Sequence, residues 1–451
     1  VRAARPVGRL LLELGRLGEI MQLLQMTGAG VELGGELLRV RRLAWVLVAE
    51  WLLRPWLGQP VVEQHWAERH RRFHELTAPL GQSYVAATTV LLTDPSSPQV
   101  VEDGCIVMAA LMRAMEDTPR DVRKVMYEAL IGPALPPTLQ MVESLAAQVE
   151  LGGWKTIGIA PMLPAVVGLV RAALCAMGPE VPSLLVQRAV MAFTRLYGTT
   201  NEGSGGSASQ DGRSSTLRLM QLLVTHPGRS YDCLLQPILQ MALDTSSGDG
   251  ELAKALQPQV CLLVLEALRA RARQLLAATA SAECQQLAMR GLTMVASLLG
   301  SAGQRLEGGV QASPGEVRQV VQALTDLAST NSATSGLFAC PAFMTLRSPL
   351  LVMLLDALVT RRCGSLREEY VGLLYKLSAS ELPSFYREVI PSYLQQHQQR
   401  PLPQHEAAIL EGLDPTAQEE PVFMRHILAV VDDMRYYIGQ AQAASSLMLA
   451  L

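Results

Sequence analysis

The sequence predicts an all-α chain, a HEAT-repeat α-solenoid made as a superhelical stack of antiparallel helix pairs. Three observations predict it. Hydrophobic residues make up 49% of the 451 residues and aromatic residues only 5%, so the apolar stock is Leu, Ala and Val, which suits helices better than a β-sandwich core. Apolar residues recur at the helical spacing of three and four along most of the chain. The resulting helices come in pairs separated by turns, at roughly 40 residues from one pair to the next, the period of HEAT-type repeats. The pairs share a pattern and no appreciable sequence identity. One such pair cannot bury its apolar face alone, so stacking supplies a continuous core and leaves a concave surface for partners.

Taken in order, residues 1–80 read as N-terminal helical repeats with a Trp-containing loop. The chain opens on Val1 rather than Met, and Arg2 to Arg9 lead into helix with no hydrophobic signal or cleavage site, which predicts a fragment or a gene model missing its start. Leu10 to Gln25 and Leu37 to Leu53 are amphipathic, the second beginning with Arg39, Arg41 and Arg42. Pro55, Trp56, Gly58, Pro60 and Trp66 follow. After the Asp94-Pro95-Ser96-Ser97-Pro98 loop, residues 81–197 form HEAT-like pairs. Gly104 to Met115 pairs with Asp121 to Ile131, and Pro161 to Met177 is joined to Ser183–Tyr197 by a Gly178-Pro179-Glu180-Val181-Pro182 turn.

Residues 198–214 hold mostly Gly, Ser, Thr and Asn, with Ala208 as the one apolar side chain, and read as a flexible insertion. Residues 215–362 return to helix pairs: Ser215 to Thr225, Tyr231 to Ala242 after the Pro227 turn, Pro258 to Ala277, Ala282 to Leu299, Glu316 to Ser329 and Leu350 to Arg361. Thr245–Gly250 and Gly300–Pro314 read as loops between them.

Residues 363–440 are C-terminal helices capping the solenoid, with 441–451 as a tail. Glu369 to Leu377 places Tyr370, Leu373, Leu374 and Leu377 on one face. A capping box, Ser378-Ala379-Ser380-Glu381, then opens a helix carrying Phe385, Val389 and Tyr393 at i, i+4 and i+8. Gln396 to Pro403 is a loop by its Gln and Pro content. The last helix opens at Pro421, shows Phe423, Ile427, Val430, Met434 and Ile438 on one side, and ends in Asp432-Asp433-Met434-Arg435-Tyr436-Tyr437. Its expected role is to bury that side on the Phe385 helix.

Several function classes are excluded. A formal net charge of −3 and a pI near 6.2 leave no electrostatic footprint for nucleic acid or an anionic membrane. The mean hydropathy of +0.21 raises the membrane question. Thr156 to Val170 is broken by Pro161 and Pro164 and stops at Arg171, short of the roughly 20 apolar residues a span needs. Leu76–Thr93 and Leu327–Leu346 are interrupted by Ser, Thr, Gly and Pro. The seven cysteines (Cys105, Cys175, Cys233, Cys261, Cys284, Cys340, Cys363) are scattered through apolar helical runs, the pattern of reduced, buried thiols in a cytosolic or nuclear protein.

No constellation for chemistry emerges. Gly28-Ala29-Gly30 lacks a third glycine, Leu33 standing in its place, and reads as a helix-ending turn. Gly153-Trp154-Lys155-Thr156 is the nearest approach to a phosphate loop and has a Trp in the way. His65, His70 and His74 sit among Arg69, Arg71 and Arg72 and read as a solvated basic face. No two cysteines are closer than 23 residues, so no local redox or zinc pair exists. The adjacent acids Glu368 and Glu369, Glu419 and Glu420, and Asp432 and Asp433 diverge around their helices and suit helix starts or solvated faces. We expect no catalytic, cofactor-binding or metal-binding residue, and no enzyme.

A family resemblance adds to this reading. It rests on Leu52 and Leu53 before Pro55-Trp56, on Trp66 ten residues further on, and on the Met177-Gly178-Pro179 turn. The Ser215 helix, the Pro227 turn before Leu234, Leu235 and Pro237, the Phe385 helix, and the ending from Phe423 through Asp433-x-Arg435-Tyr436-Tyr437 complete it. In these the chain resembles the C-terminal portion of exportins of the karyopherin-β (importin-β) superfamily, over most of Leu52–Tyr437 with gaps. Glu68 to Leu76 departs from the family in length.

The resemblance implies a monomeric nuclear export receptor that shuttles between nucleus and cytoplasm and wraps a protein cargo, profilin-actin, together with Ran-GTP. It also implies that Ran is held mainly by N-terminal repeats that this chain does not show. Pro55, Trp56, Trp66, Phe385, Phe423, Asp433, Arg435, Tyr436 and Tyr437 are the family-resembling positions. For Arg435-Tyr436-Tyr437 one reading is a patch contacting cargo or Ran. The other is that Tyr437 continues the core face while Asp432 and Asp433 pair with Arg435. Two further readings share the solenoid: a karyopherin with a different cargo, and a scaffold subunit with no Ran dependence.

Overall fold

The structure, a computed structural model, describes residues 98–114, 120, 123–124, 127–150, 162–198, 207–226, 231–246, 251–277, 280–301, 313–330, 336–396, 401 and 403–449. The expected helices of residues 1–80, with Pro55, Trp56 and Trp66, lie outside them. The described residues form helices and turns, with no strand among them. The fold is all-α, a stack of helix pairs, and it divides into two units, Val1–Leu234 and Leu235–Leu451.

In the first unit α1 (Pro98–Ala114) packs on α3 (Leu163–Met177), and α3 packs on α5 (Ser207–Thr225). Alongside this layer, α2 (Gly132–Glu150) packs on α4 (Ser183–Gly198). Alternate helices thus stack in two layers, as helix-pair repeats require. The apolar face of α3 is fully committed, with Val166, Val167, Leu169, Val170, Ala173 and Leu174 all buried. Gly178 ends α3 at φ +56°, donating its N–H to the Leu174 carbonyl, a left-handed position that favours glycine.

In the second unit α6 (Leu235–Thr245), α8 (Ala282–Ser301), α10 (Pro341–Val359) and α12 (residues 382–396) make one layer. The other layer holds α7 (Glu251–Ala270), α9 (Pro314–Ser329), α11 (Arg367–Ser378) and α14 (Glu420–Leu449). A short α13 (Pro403–Glu411) lies against α14. At Gly291 a Cβ would come within 2.5 Å of a Val264 methyl, so the missing side chain lets α8 approach α7 closely.

Several side-chain bonds between neighbouring helices of one layer span 44 to 51 residues, from Lys376–Glu420 to Arg318–Glu369, close to the length of one repeat. In the first unit Arg188 grips Glu143 with two bonds of 2.8 and 2.7 Å, and that bond holds the Glu143 carboxyl below its usual range despite partial burial. In the second, Gln236 donates to Glu283 at 2.7 Å and Arg290 to Asp244 at 2.8 Å.

Among the described residues two helices carry a π-turn, Tyr127–Ile131 running into α2 and Phe385–Val389 inside α12. Each is followed, two residues after its end, by a proline: Pro133 and Pro391. The pyrrolidine ring removes an N–H and crowds the carbonyl four residues back, and widening the preceding turn relieves both. Pro258 in α7 and Pro349 in α10 sit inside helices with no π-turn before them.

The structure departs from several expectations. Helix α5 begins at Ser207, inside the stretch expected to be a loop, because Gly212 and Arg213 are buried and the Thr216 hydroxyl donates to the Gly212 carbonyl at 2.9 Å. Packing overrides the weak helix preference of Gly and Ser there. Helix α14 continues past Tyr437 to Leu449, through most of the expected tail, and α13 was not expected. Among the cysteines, Cys105, Cys261, Cys340 and Cys363 are buried, whereas Cys175 and Cys233 are exposed. No single described helix is long and apolar enough to cross a membrane. A pair that would qualify by composition, Phe343–Val359 with Gly364–Gln396, is bent by 116°.

Candidate functional site

The family-resembling residues that the structure describes lie on α12 and α14, at the C-terminal end of the second unit. Helix α14 is held there by its apolar stripe, with Phe423, Ile427, Val430, Met434 and Ile438 all buried. Phe385 and Phe423 are brought together with ring centroids 5.8 Å apart, and Tyr375 of α11 and Tyr386 of α12 close around Phe423 at 5.3 and 6.1 Å. Phe385, Tyr386 and Phe423 are core, with Tyr375 half-buried at their edge, and helical spacing predicts this for Phe385 and Phe423. Burial pushes the Tyr386 phenol up to about 12, with the Asp414 charge adding to it. The start of α14 is fastened to α11 by Lys376–Glu420 at 2.6 Å and by the Tyr375 hydroxyl on the Gln418 carbonyl at 3.1 Å.

Arg435 does not face outward. Its Nε donates to the Val359 carbonyl at 3.2 Å and its Nη2 to the Leu358 carbonyl, the last residues of α10. A helix C-terminus leaves carbonyls without intrahelical donors and carries partial negative charge, so a guanidinium there satisfies both deficits. One pair earlier the same post is held by another side chain: the buried Tyr370 hydroxyl on α11 donates to the Leu299 carbonyl near the end of α8 at 2.9 Å. In these two pairs the first-layer helix end is thus closed by the second-layer helix of the following pair.

Asp432 holds this arrangement in place. It accepts from Arg435 at 3.0 Å and from Arg367 at 2.7 Å, and Arg367 also reaches the Leu428 carbonyl at 3.2 Å. Partial burial raises the Asp432 carboxyl, but the two guanidiniums outweigh it and the net direction is down. Tyr437 is half-buried and stacks on His405 of α13, with centroids 4.4 Å apart. Asp433 and Tyr436 remain on the surface, Tyr436 at 62% exposure.

Sequence reasoning missed Arg347, Arg367 and His405. Arg347 carried a signal, being the one charged residue between Pro341 and Asp356 in an apolar helix. It is buried and donates to the Leu377 carbonyl at 3.0 Å, to Ser380 at 3.2 Å and to Glu381 at 2.6 Å, closing the end of α11. Its guanidinium also lies 5.5 Å from the Phe338 ring centre. Arg367 and His405 act through contacts 61 or more and 32 residues distant, which local pattern does not reveal. Glu369 and Glu420 do stand in the first turns of α11 and α14, as expected of acids near helix starts.

The site is therefore a closed helical terminus with Asp433 and Tyr436 on its surface. Two comparisons agree on its kin. Residues 268–440 match the family model of the exportin-6 C-terminal TPR repeats. The spacing measured above is longer than the roughly 34 residues of a TPR unit and closer to that of HEAT repeats. Exportin-6 of Danio rerio is 22% identical over 401 residues, which is 86% of this chain and 33% of the relative, so the chain spans about a third of the relative's length. Through the C-terminal repeats by family, and more thinly over most of its length, the chain resembles the C-terminal portion of exportin-6.

Proposed function

We propose that this chain acts in nuclear export as the C-terminal portion of an exportin-type receptor that binds a protein cargo together with Ran-GTP. The observation that carries the reading is the family match over residues 268–440, which coincides with the last stacked pairs and the closing helix α14. A stack of pairs presents an extended surface with little chemistry of its own, which suits a receptor and gives no support to an enzyme. By the same resemblance the cargo is profilin-actin, the receptor is a monomer, and it shuttles between nucleus and cytoplasm.

The test is capture of profilin-actin on the immobilised receptor, with Ran loaded with GTP or GDP. Actin retained with the GTP form and lost with the GDP form is the expected result. Retention of a different cargo under the same nucleotide control would redirect the reading to another karyopherin, and binding indifferent to nucleotide would favour a scaffold. The 451 residues alone are expected to bind Ran-GTP weakly, because the resemblance assigns the main Ran contacts to N-terminal repeats. Nanomolar binding by this chain would overturn that part.

A further inference from the structure

The turn between α10 and α11 reads Thr360-Arg361-Arg362-Cys363-Gly364-Ser365-Leu366. Cys363 and Leu366 anchor it by burial, while Arg361, Gly364 and Ser365 are exposed. Arg361 adopts φ 59°, a left-handed position where glycine is the easy residue, and it is the one described non-glycine residue to do so. Its neighbours are engaged: Arg362 donates to Asp356 at 3.2 Å, and Arg367 and Arg435 share Asp432. No hydrogen bond or ion pair among the described residues involves the Arg361 side chain. An outlier of this kind, kept where glycine would relieve it, invites a functional question.

Serine and threonine residues preceded by arginine at the third position back are the substrates of arginine-directed protein kinases, whose carboxylates read that guanidinium. The sequence holds three such hydroxyls: Thr216, Thr293 and Ser365. Thr216 is buried and its hydroxyl is bonded to the Gly212 carbonyl. Thr293 lies in the middle of α8 with its hydroxyl on the Met289 carbonyl at 2.8 Å, so a helix would have to unwind before it could react. Ser365 alone is exposed outside an α-helix, and it alone has a second arginine, Arg361, four residues back. Beside it Gly364 has open space where a Cβ would stand, with no atom within 4 Å.

We propose that Ser365 is a phosphorylation site for an arginine-directed protein kinase, with Arg362 and Arg361 as the recognition residues, the half-exposed Arg362 exchanging its 3.2 Å bond to Asp356 for a kinase carboxylate. In the transfer the Ser365 Oγ bonds to the γ-phosphorus of ATP, the bridging P–O bond to the β-phosphate breaks, ADP leaves, and the hydroxyl proton passes to the kinase's base. The product adds about 1.5 to 2 negative charges next to Arg361 at the start of α11, where both the unpaired guanidinium and the helix N-terminus favour an anion. The inference is independent of the transport reading.

The test is incubation of the 451-residue chain with a purified arginine-directed kinase and Mg-ATP, followed by intact mass and peptide mapping. One phosphate on Ser365 is expected, absent in Ser365→Ala, an exposed position that should fold unchanged. Arg362→Ala should slow incorporation about tenfold or more, since a site built for a charged group discriminates strongly against its loss. Two outcomes overturn the proposal: phosphate found only at other positions, or a folded chain left unmodified under conditions that phosphorylate a free peptide of the same turn.

Discussion

Two stretches of this chain have the same Ser-x-x-Glu pattern and opposite fates. At the start of α9, Ser313 and Glu316 form a capping box: the Ser313 hydroxyl accepts from the Glu316 N–H at 3.2 Å, and the Glu316 carboxylate accepts from the Ser313 N–H at 3.1 Å. At the α11–α12 junction, Ser378 and Glu381 form none. Ser378 is still the last residue of α11, fully buried, with its hydroxyl on the Leu374 carbonyl at 2.7 Å, and Glu381 is taken by Arg347. The expected capping box there is corrected by two competitors. Pro314 suits the first helical position and disfavours a helix running through Ser313 into α9, whereas nothing of the kind stands before Ser378 in α11. A buried guanidinium also outbids a backbone N–H for the Glu381 carboxylate. One junction is closed locally and the other by a side chain from another helix.

That contrast can be broken by substitution. Arg347→Ala should have the largest effect, about 3 kcal/mol of destabilisation in urea unfolding, because it leaves the buried Leu377 carbonyl without its donor and removes a packed side chain. Arg435→Ala should cost about 2 kcal/mol by the same logic at the end of α10, read as faster hydrogen exchange in α10 and α14. Ser313→Ala should cost about 1 kcal/mol, the usual loss of an N-cap, seen first as fraying of α9. Ser378→Ala should change stability by less than about 0.5 kcal/mol, since its hydroxyl only bonds back into its own helix. A loss at Ser378 as large as that at Ser313 would mean that both junctions are capped alike.

The smallest expected effect is one of pH. The folded-state carboxyl of Asp432 lies below its ordinary value, so its contribution is complete above the usual carboxylate range and fades as the pH falls through the lowered value. Wild type should therefore lose its advantage over Asp432→Asn on acidification, as read by unfolding midpoints across that range. An advantage independent of pH would show that Asp432 acts by packing and not by charge.

The stripes of α11, α12 and α14 were legible because a helix face is a local property. Tyr370, Leu373, Leu374 and Leu377, and likewise Phe423, Ile427, Val430, Met434 and Ile438, are buried as their spacing requires. The family-resembling positions were only partly legible. Phe385 and Phe423 follow from the stripe, but the inward turn of Arg435 depends on where the end of α10 falls, 76 residues earlier. Of the two readings of Arg435-Tyr436-Tyr437, the structure joins Arg435 to Asp432 and leaves Asp433 exposed, with Tyr437 only half-buried. The π-turns had a signal in their prolines, although Pro258 and Pro349 show that the signal is not sufficient.

What the sequence determined by itself is where most of the helices run and which faces they bury, because periodicity and turn residues act within a few residues of one another, although α2 and α13 were not expected. What the tertiary structure decided is how the helices end. A helix terminus exposes backbone groups that any suitable donor or acceptor can satisfy, and the nearest in space is often remote in the chain. Tyr370, Arg347 and Arg435 fill those positions from other helices, and no window on the sequence contains both partners.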